Sequence, residues 1–143
     1  MTDKDLTGRW TGEYIYGDVY KTPIKGTRVA FEIELTATGG TLKGSCVDDE
    51  FKTHFKDPAT IEGTVKENTI HFIKRYPCLF SIDEDGRIIL FPKLPSHEIH
   101  YSGFFENGRF SGNWKVTNPY ADADEEESTF DYGREGFWEM QKG

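Results

Sequence analysis

Ile99-His100-Tyr101-Ser102-Gly103-Phe104-Phe105-Glu106-Asn107-Gly108-Arg109-Phe110-Ser111-Gly112-Asn113-Trp114-Lys115-Val116 decides the fold of this chain. Asn107-Gly108 is the strongest short hairpin signal, because a two-residue primed turn needs positive φ at its centre. A two-residue loop there pairs Phe105 with Phe110, Gly103 with Gly112, Tyr101 with Trp114 and Ile99 with Val116. The alternate residues pair Glu106 with Arg109, Phe104 with Ser111, Ser102 with Asn113 and His100 with Lys115. One face is apolar and the other mostly polar, the pattern of a half-buried antiparallel pair with a defined register.

The same reading extends outward. Glu67-Asn68 turns a second hairpin that pairs Val65 with Ile70, Gly63 with Phe72 and Ile61 with Lys74. Gly39-Gly40 turns a third, pairing Ala37 with Leu42, Leu35 with Gly44 and Ile33 with Cys46. Asp83-Glu84-Asp85-Gly86 marks a fourth turn without a defined register. Strand patterns cover residues 8–16, 28–37, 41–48, 59–66, 69–76, 87–92, 97–106, 109–117 and 135–141, with a short one at 79–82. No segment of helical length shows the 3.6-residue period. Many strands carry a glycine two residues from a large apolar residue, as in Trp10-Thr11-Gly12 and Gly112-Asn113-Trp114. Glycine is poor strand material, and its recurrence marks a sheet that must curl. Local hairpins in chain order form an antiparallel up-and-down meander. Closing it into an all-β barrel of 8–10 strands removes its edges, with a twisted sandwich as the alternative.

Composition narrows the function. At 143 residues the chain reads as one domain, 1–143, large enough for a real core. Its net charge of −8, with no basic stripe, argues against a nucleic-acid partner. No apolar run reaches membrane-helix length, and the start Met1-Thr2-Asp3-Lys4-Asp5-Leu6 lacks a signal-peptide core, so the chain reads as cytoplasmic. Cys46 and Cys78 read as two buried thiols rather than a disulfide framework. The acidic run Asp122-Ala123-Asp124-Glu125-Glu126-Glu127 lacks the glycine-punctuated spacing of a calcium loop and reads as a solvated loop. His54, His71, His97 and His100 show no zinc-site spacing and read as surface histidines. There is no Gly-x-Ser-x-Gly and no phosphate loop. No catalytic group, cofactor or metal is therefore assigned.

Leu6-Thr7-Gly8-Arg9-Trp10 opening a first strand resembles the Gly-x-Trp start of the calycin-type barrels: lipocalins, fatty-acid-binding proteins and avidins. The avidin branch is similar in layout, with units like Gly40-Thr41-Leu42-Lys43-Gly44, late-strand stretches like Tyr101-Ser102-Gly103 and Asn113-Trp114, and a Ser128-Thr129-Phe130 lead into the last strand. The resemblance implies a barrel and a small-molecule site. Two departures stand against biotin. Where avidins place an Asn two residues after the Trp, this chain has Gly12, and where they place a Tyr after the third-strand glycine, it has about Cys46. Arg134 is the candidate for the late Arg that lipocalins pack on the Trp.

Strand parity selects the interior. Trp10 carries Gly12, Tyr14 and Tyr16 inward with it, and the other strands add Ile33, Leu35, Cys46, Phe72, Lys74, Tyr76, Tyr101, Phe105, Phe110 and Trp114. In the last strand Trp138 and Met140 compete with Phe137 and Glu139 for the inner face. Apolar walls with a few polar groups describe a ligand site. The candidate ligand-binding residues are Tyr14, Tyr16, Lys74, Tyr76, Tyr101 and Trp114. Trp10 is expected at the closed end of the barrel, with Tyr14, Tyr16, Lys74 and Tyr76 together at one mouth. The first reading of function is a protein that binds a small molecule, partly apolar, with Lys74 suited to an anionic group. A packed interaction barrel without a ligand is the second. A barrel-mouth isomerase or cyclase, with Lys74 or a tyrosine as acid, is the third.

Overall fold

A computed structural model of the chain describes residues 2–17, 26–82, 85, 87–117 and 135–143. The sequence readings at 118–134, which include the acidic run, Ser128-Thr129-Phe130 and Arg134, lie outside the described residues. So do residues 18–25 of the first loop and all of the Asp83–Gly86 turn except Asp85.

The strands are β1 (Gly8–Tyr16), β2 (Arg28–Thr38), β3 (Thr41–Asp48), β4 (Ala59–Lys66), β5 (Thr69–Arg75), β6 (Leu79–Ile82), β7 (Ile88–Phe91), β8 (Glu98–Glu106), β9 (Arg109–Thr117) and β10 (Glu135–Lys142). Eight of them close an antiparallel barrel in the order β1-β10-β9-β8-β5-β4-β3-β2. The β6–β7 pair forms a separate two-stranded sheet between β5 and β8. The meander read from sequence is therefore interrupted once. β5 pairs across the excursion with β8, bringing Phe72 opposite Tyr101 and Lys74 opposite Ile99.

The three hairpin registers follow their turns. β8 and β9 pair Tyr101 with Trp114 and Gly103 with Gly112, around Asn107 at φ 53° and Gly108 at φ 81°. β4 and β5 pair Gly63 with Phe72, and β2 and β3 pair Leu35 with Gly44. Closure occurs between β1 and β10, where Tyr14 lies opposite Trp138. Curvature explains the recurring glycines. A Cβ on Gly12 would sit 2.0 Å from the Glu139 carbonyl oxygen of the neighbouring strand, so only glycine permits that approach. Trp138 and Met140 take the inner face of β10, while Phe137 is exposed.

One barrel end is sealed. A four-residue helix, α1 (Asp3–Leu6), precedes β1. It was not expected, because four residues are too few to show a helical period. Its N-terminus carries a capping box: the Thr2 hydroxyl accepts from the Asp5 amide, and the Asp5 carboxylate accepts from the Thr2 amide. The Asp3 carboxylate accepts from the Gly39 amide at 2.8 Å, tying α1 to the β2–β3 turn. The Lys142 ammonium donates to the Lys4 and Asp5 carbonyls, tying α1 to the last strand. Beneath α1, Trp10 is 2 % exposed, donates from Nε1 to the Leu6 carbonyl at 2.8 Å, and packs on Phe110 with ring centroids 5.4 Å apart.

Two burial expectations need correction. His97 is buried, at 6 % exposure, rather than on the surface, because it lies just before β8 beside Phe80 of the β6–β7 excursion. Phe105 is half-buried, since it sits at the turn end of its strand. Cys46 and Cys78 are buried free thiols, as read. Among the described residues no helix is long and apolar enough to cross a membrane.

Candidate functional site

Antiparallel order puts the ends of β1, β3, β5 and β9 at the barrel mouth opposite α1. The connections at the α1 end are two-residue turns, Gly39-Gly40, Glu67-Asn68 and Asn107-Gly108. Those at the mouth span residues 17–27, 49–58, 76–97 and 118–134. Long connections on a rigid barrel are where binding groups concentrate.

The interior polar groups gather at this mouth. Lys74 near the end of β5 and Asp48 at the end of β3 form an ion pair, Nζ to Oδ2 3.0 Å, with side chains 1 % and 0 % exposed. Phe51 donates its amide to Asp48 Oδ1 at 2.8 Å, and the Tyr76 hydroxyl donates to Oδ2 at 2.5 Å. The Lys74 ammonium also lies 4.8 Å from the Tyr14 ring centroid, 4.6 Å from Tyr76 and 5.9 Å from Tyr101. Aromatic faces attract a desolvated cation. Glu50, just past β3, accepts from the Tyr14 hydroxyl at 3.0 Å and from the Tyr16 hydroxyl, both on Oε1. Trp114 stands edge-on to both tyrosines, with centroids 6.2 Å from Tyr14 and 5.5 Å from Tyr16. Its indole N–H donates to the carbonyls of Ile15 and Phe137.

All six residues expected to face inward thus fall in one cluster, and Lys74 faces the rings of three of them, Tyr14, Tyr76 and Tyr101. The structure adds Asp48 and Glu50 to this cluster. Asp48 shares parity with Cys46, two residues earlier, so the Gly39-Gly40 register already pointed it inward. Glu50 lies beyond the strand, where no period applies.

The protonation states follow from burial and pairing. Burial pushes the Asp48 carboxyl up, but the Lys74 charge and the bonds from Tyr76, Lys74 and Phe51 hold it below its ordinary value. Burial pulls Lys74 down, and Asp48 more than reverses it, leaving the ammonium charged. Burial raises Tyr14 and Tyr76 well above the ordinary phenol range and raises Tyr101 as well. The Cys46 thiol is pushed up to about 11, also by burial. At neutral pH the lysine, the tyrosines and the thiol keep their protons and Asp48 accepts as a carboxylate, so none is an activated nucleophile. Glu50 moves opposite to Asp48. Burial raises its carboxyl above its ordinary value against the two tyrosine bonds.

Phe51, Tyr76 and Phe80 roof the cluster, with Phe80 4.4 Å from Phe51 and 5.2 Å from Tyr76 between ring centroids. The β6–β7 excursion supplies Phe80 and so covers this part of the mouth. A cavity of about 120 Å³ lies between the 49–58 connection and the barrel wall, against Cys46, Asp48, Phe51 and Tyr76. A second hollow, about 280 Å³, lies away from the cluster around Gly12, Arg109 and Glu139. Among the described residues no group of three or more His, Cys, Asp or Glu is arranged to hold a metal ion. No protein-family model matches the chain, and no curated protein matches it significantly.

Proposed function

We propose that the protein binds a small, partly apolar molecule at the mouth opposite α1. The observation that carries this reading is the asymmetry of the interior. The α1 end holds Leu6, Trp10 and Phe110, whereas the mouth holds a buried Lys74–Asp48 pair, Glu50 and four tyrosines. A buried ion pair is weak as a source of stability, because an apolar pair of similar volume does as well. Polar groups kept at the end with the long connections suit recognition. In this reading the ligand's apolar body lies against Tyr14, Tyr16 and Trp114, and its polar end meets Glu50. Both tyrosine hydroxyls use Glu50 Oε1, and Oε2 accepts no bond from a described residue. Lys74 already has Asp48 as its counter-ion, so a neutral hydrogen-bond donor suits the site better than an anion. We include in the proposal a calycin kinship, supported by the Gly8-x-Trp10 start and the closed eight-stranded barrel.

A packed barrel without a ligand is the second reading, favoured by the mutual satisfaction of Lys74 and Asp48. Two fluorescent probes separate the readings: neutral N-phenyl-1-naphthylamine and its anionic sulfonate relative, 8-anilinonaphthalene-1-sulfonate. The neutral probe should bind saturably and more tightly, and Glu50→Gln and Trp114→Phe should each weaken it several-fold. Native mass spectrometry of the purified chain should show a bound small molecule. Absence of saturable binding for both probes, with no co-purified mass, would leave the packed barrel standing. Tighter binding of the anionic probe would remove Glu50 as the polar contact.

A further inference from the structure

The outer wall of the barrel carries a second arrangement, independent of the mouth. The β5–β8 pairing sets Ile73 opposite His100 and His71 opposite Ser102, so the two histidines are diagonal neighbours on the outer face. His71 Nε2 and His100 Nδ1 lie 3.3 Å apart, and the rings are 5.4 Å apart at an interplanar angle of 34°. The remaining ring nitrogen of His100, Nε2, lies 3.6 Å from Glu98 Oε1. Glu98 is itself anchored, its Oε2 accepting from Arg75 at 2.5 Å. A carboxylate on one imidazole nitrogen sets the proton there and leaves the lone pair on the other. At this distance the Glu98 charge favours the proton on His100 Nε2, the tautomer in which the Nδ1 lone pair faces His71.

The spacing matches a chelate. Two imidazole nitrogens, each about 2.0–2.1 Å from a tetrahedral metal ion, lie roughly 3.3–3.4 Å apart. We infer that His71 and His100 form a two-nitrogen site for a borderline divalent transition metal ion of the Zn²⁺, Ni²⁺ or Cu²⁺ class, with water on the remaining positions. Without metal, one histidine N–H bridges the two rings. When the ion binds, the proton on His71 Nε2 moves to Nδ1 by tautomerisation, so two neutral imidazoles coordinate and no net proton is lost. Nitrogen donors exclude Mg²⁺ and Ca²⁺, which take oxygen ligands. Glu98 and Arg75 act as the outer shell that orients His100. The chain's net charge of −8 favours the approach of a cation. Two protein donors make the site exchangeable rather than structural.

Isothermal titration of the full chain with ZnCl₂ and NiCl₂ tests this, with long-range ¹H–¹⁵N spectra of the imidazoles as second readout. Binding should saturate at one ion per chain and shift His71 Nε2 and His100 Nδ1. His71→Ala and His100→Ala should each weaken it about tenfold or more, and Glu98→Gln by a smaller factor. His54→Ala should leave it unchanged. The two histidines face outward, so a circular dichroism melt should show the variants folded. No saturable heat with either metal would overturn the inference. So would equal affinity in His71→Ala, or loss of binding only in His54→Ala.

Discussion

The two ends of this barrel solve the same closure problem differently. At the α1 end the chain turns in two residues, and the interior is apolar under a helical plug pinned by Asp3 and Lys142. At the mouth the connections are long, and the interior holds a buried ion pair, a half-buried carboxylate and a ring of tyrosines. The first end uses chemistry that stabilises: apolar burial, caps and tight turns. The second uses chemistry that roughly breaks even in stability.

Trp10 sets the scale for the sealed end. Trp10→Ala removes a fully buried indole and its bond to the Leu6 carbonyl, and should cost about 3–5 kcal/mol in a urea titration. A loss below about 1 kcal/mol would place Trp10 outside the core and erase the contrast between the ends. Probe binding at the mouth, measured on the fraction that stays folded, should be unchanged.

The Lys74–Asp48 pair is the matching probe at the mouth. Asp48→Asn keeps the shape and the acceptor for Phe51, but leaves a buried ammonium without its counter-ion. It should cost about 3 kcal/mol. Adding Lys74→Met should recover most of that loss, since the double variant buries no unpaired charge. The pair would then be dispensable for stability, which is the difference claimed between the ends. If the double variant is as unstable as Asp48→Asn, the pair is a structural element and the ends are alike.

Legibility in the sequence divided along the same line. The tight turns made three registers readable, because Asn107-Gly108, Gly39-Gly40 and Glu67-Asn68 each lock a local pair whose parity can be counted outward. That counting placed Lys74, Tyr76, Tyr101 and Trp114 inward and reaches Asp48 from the Gly39-Gly40 turn, whereas Tyr14 and Tyr16 took their parity from Trp10. It failed where pairing is not local. The β5–β8 register crosses the β6–β7 excursion, so neither the Phe72–Tyr101 stack nor the His71–His100 contact could be counted from a turn. Glu50, in a connection rather than a strand, had no periodic signal. The α1 cap had one, Thr2 followed three residues later by Asp5, but so short a helix is set by its tertiary ties rather than by propensity.

The smallest effect is a pH dependence that Glu50 gives the mouth. Burial raises the Glu50 carboxyl above its ordinary value of 4.5 in the folded chain. The folded state then holds this proton more tightly than the unfolded one. Its contribution is favourable while the group stays protonated and is lost as pH rises from the ordinary value through the raised one. Asp48 has the opposite sign. Its lowered carboxyl stabilises the fold above the ordinary value and loses that contribution as pH falls through the folded value. Glu50→Gln cannot ionise. Its stability relative to the parent chain should therefore rise as pH climbs from the ordinary carboxylate value through the raised one, and level off once Glu50 is fully ionised. Urea titrations at a series of pH values give the difference directly. The buried groups at the α1 end, Leu6, Trp10 and Phe110, do not titrate, and the one shifted carboxyl there, Asp5 on the surface, is held below its ordinary value by the bond from the Thr2 amide, so it has the opposite sign to Glu50. A Trp10→Phe variant should accordingly keep the parent's pH profile while shifting its height. A flat difference for Glu50→Gln would mean that Glu50 is as well solvated as an ordinary surface carboxylate, and that the mouth is open to water at the place where a ligand is proposed to meet it.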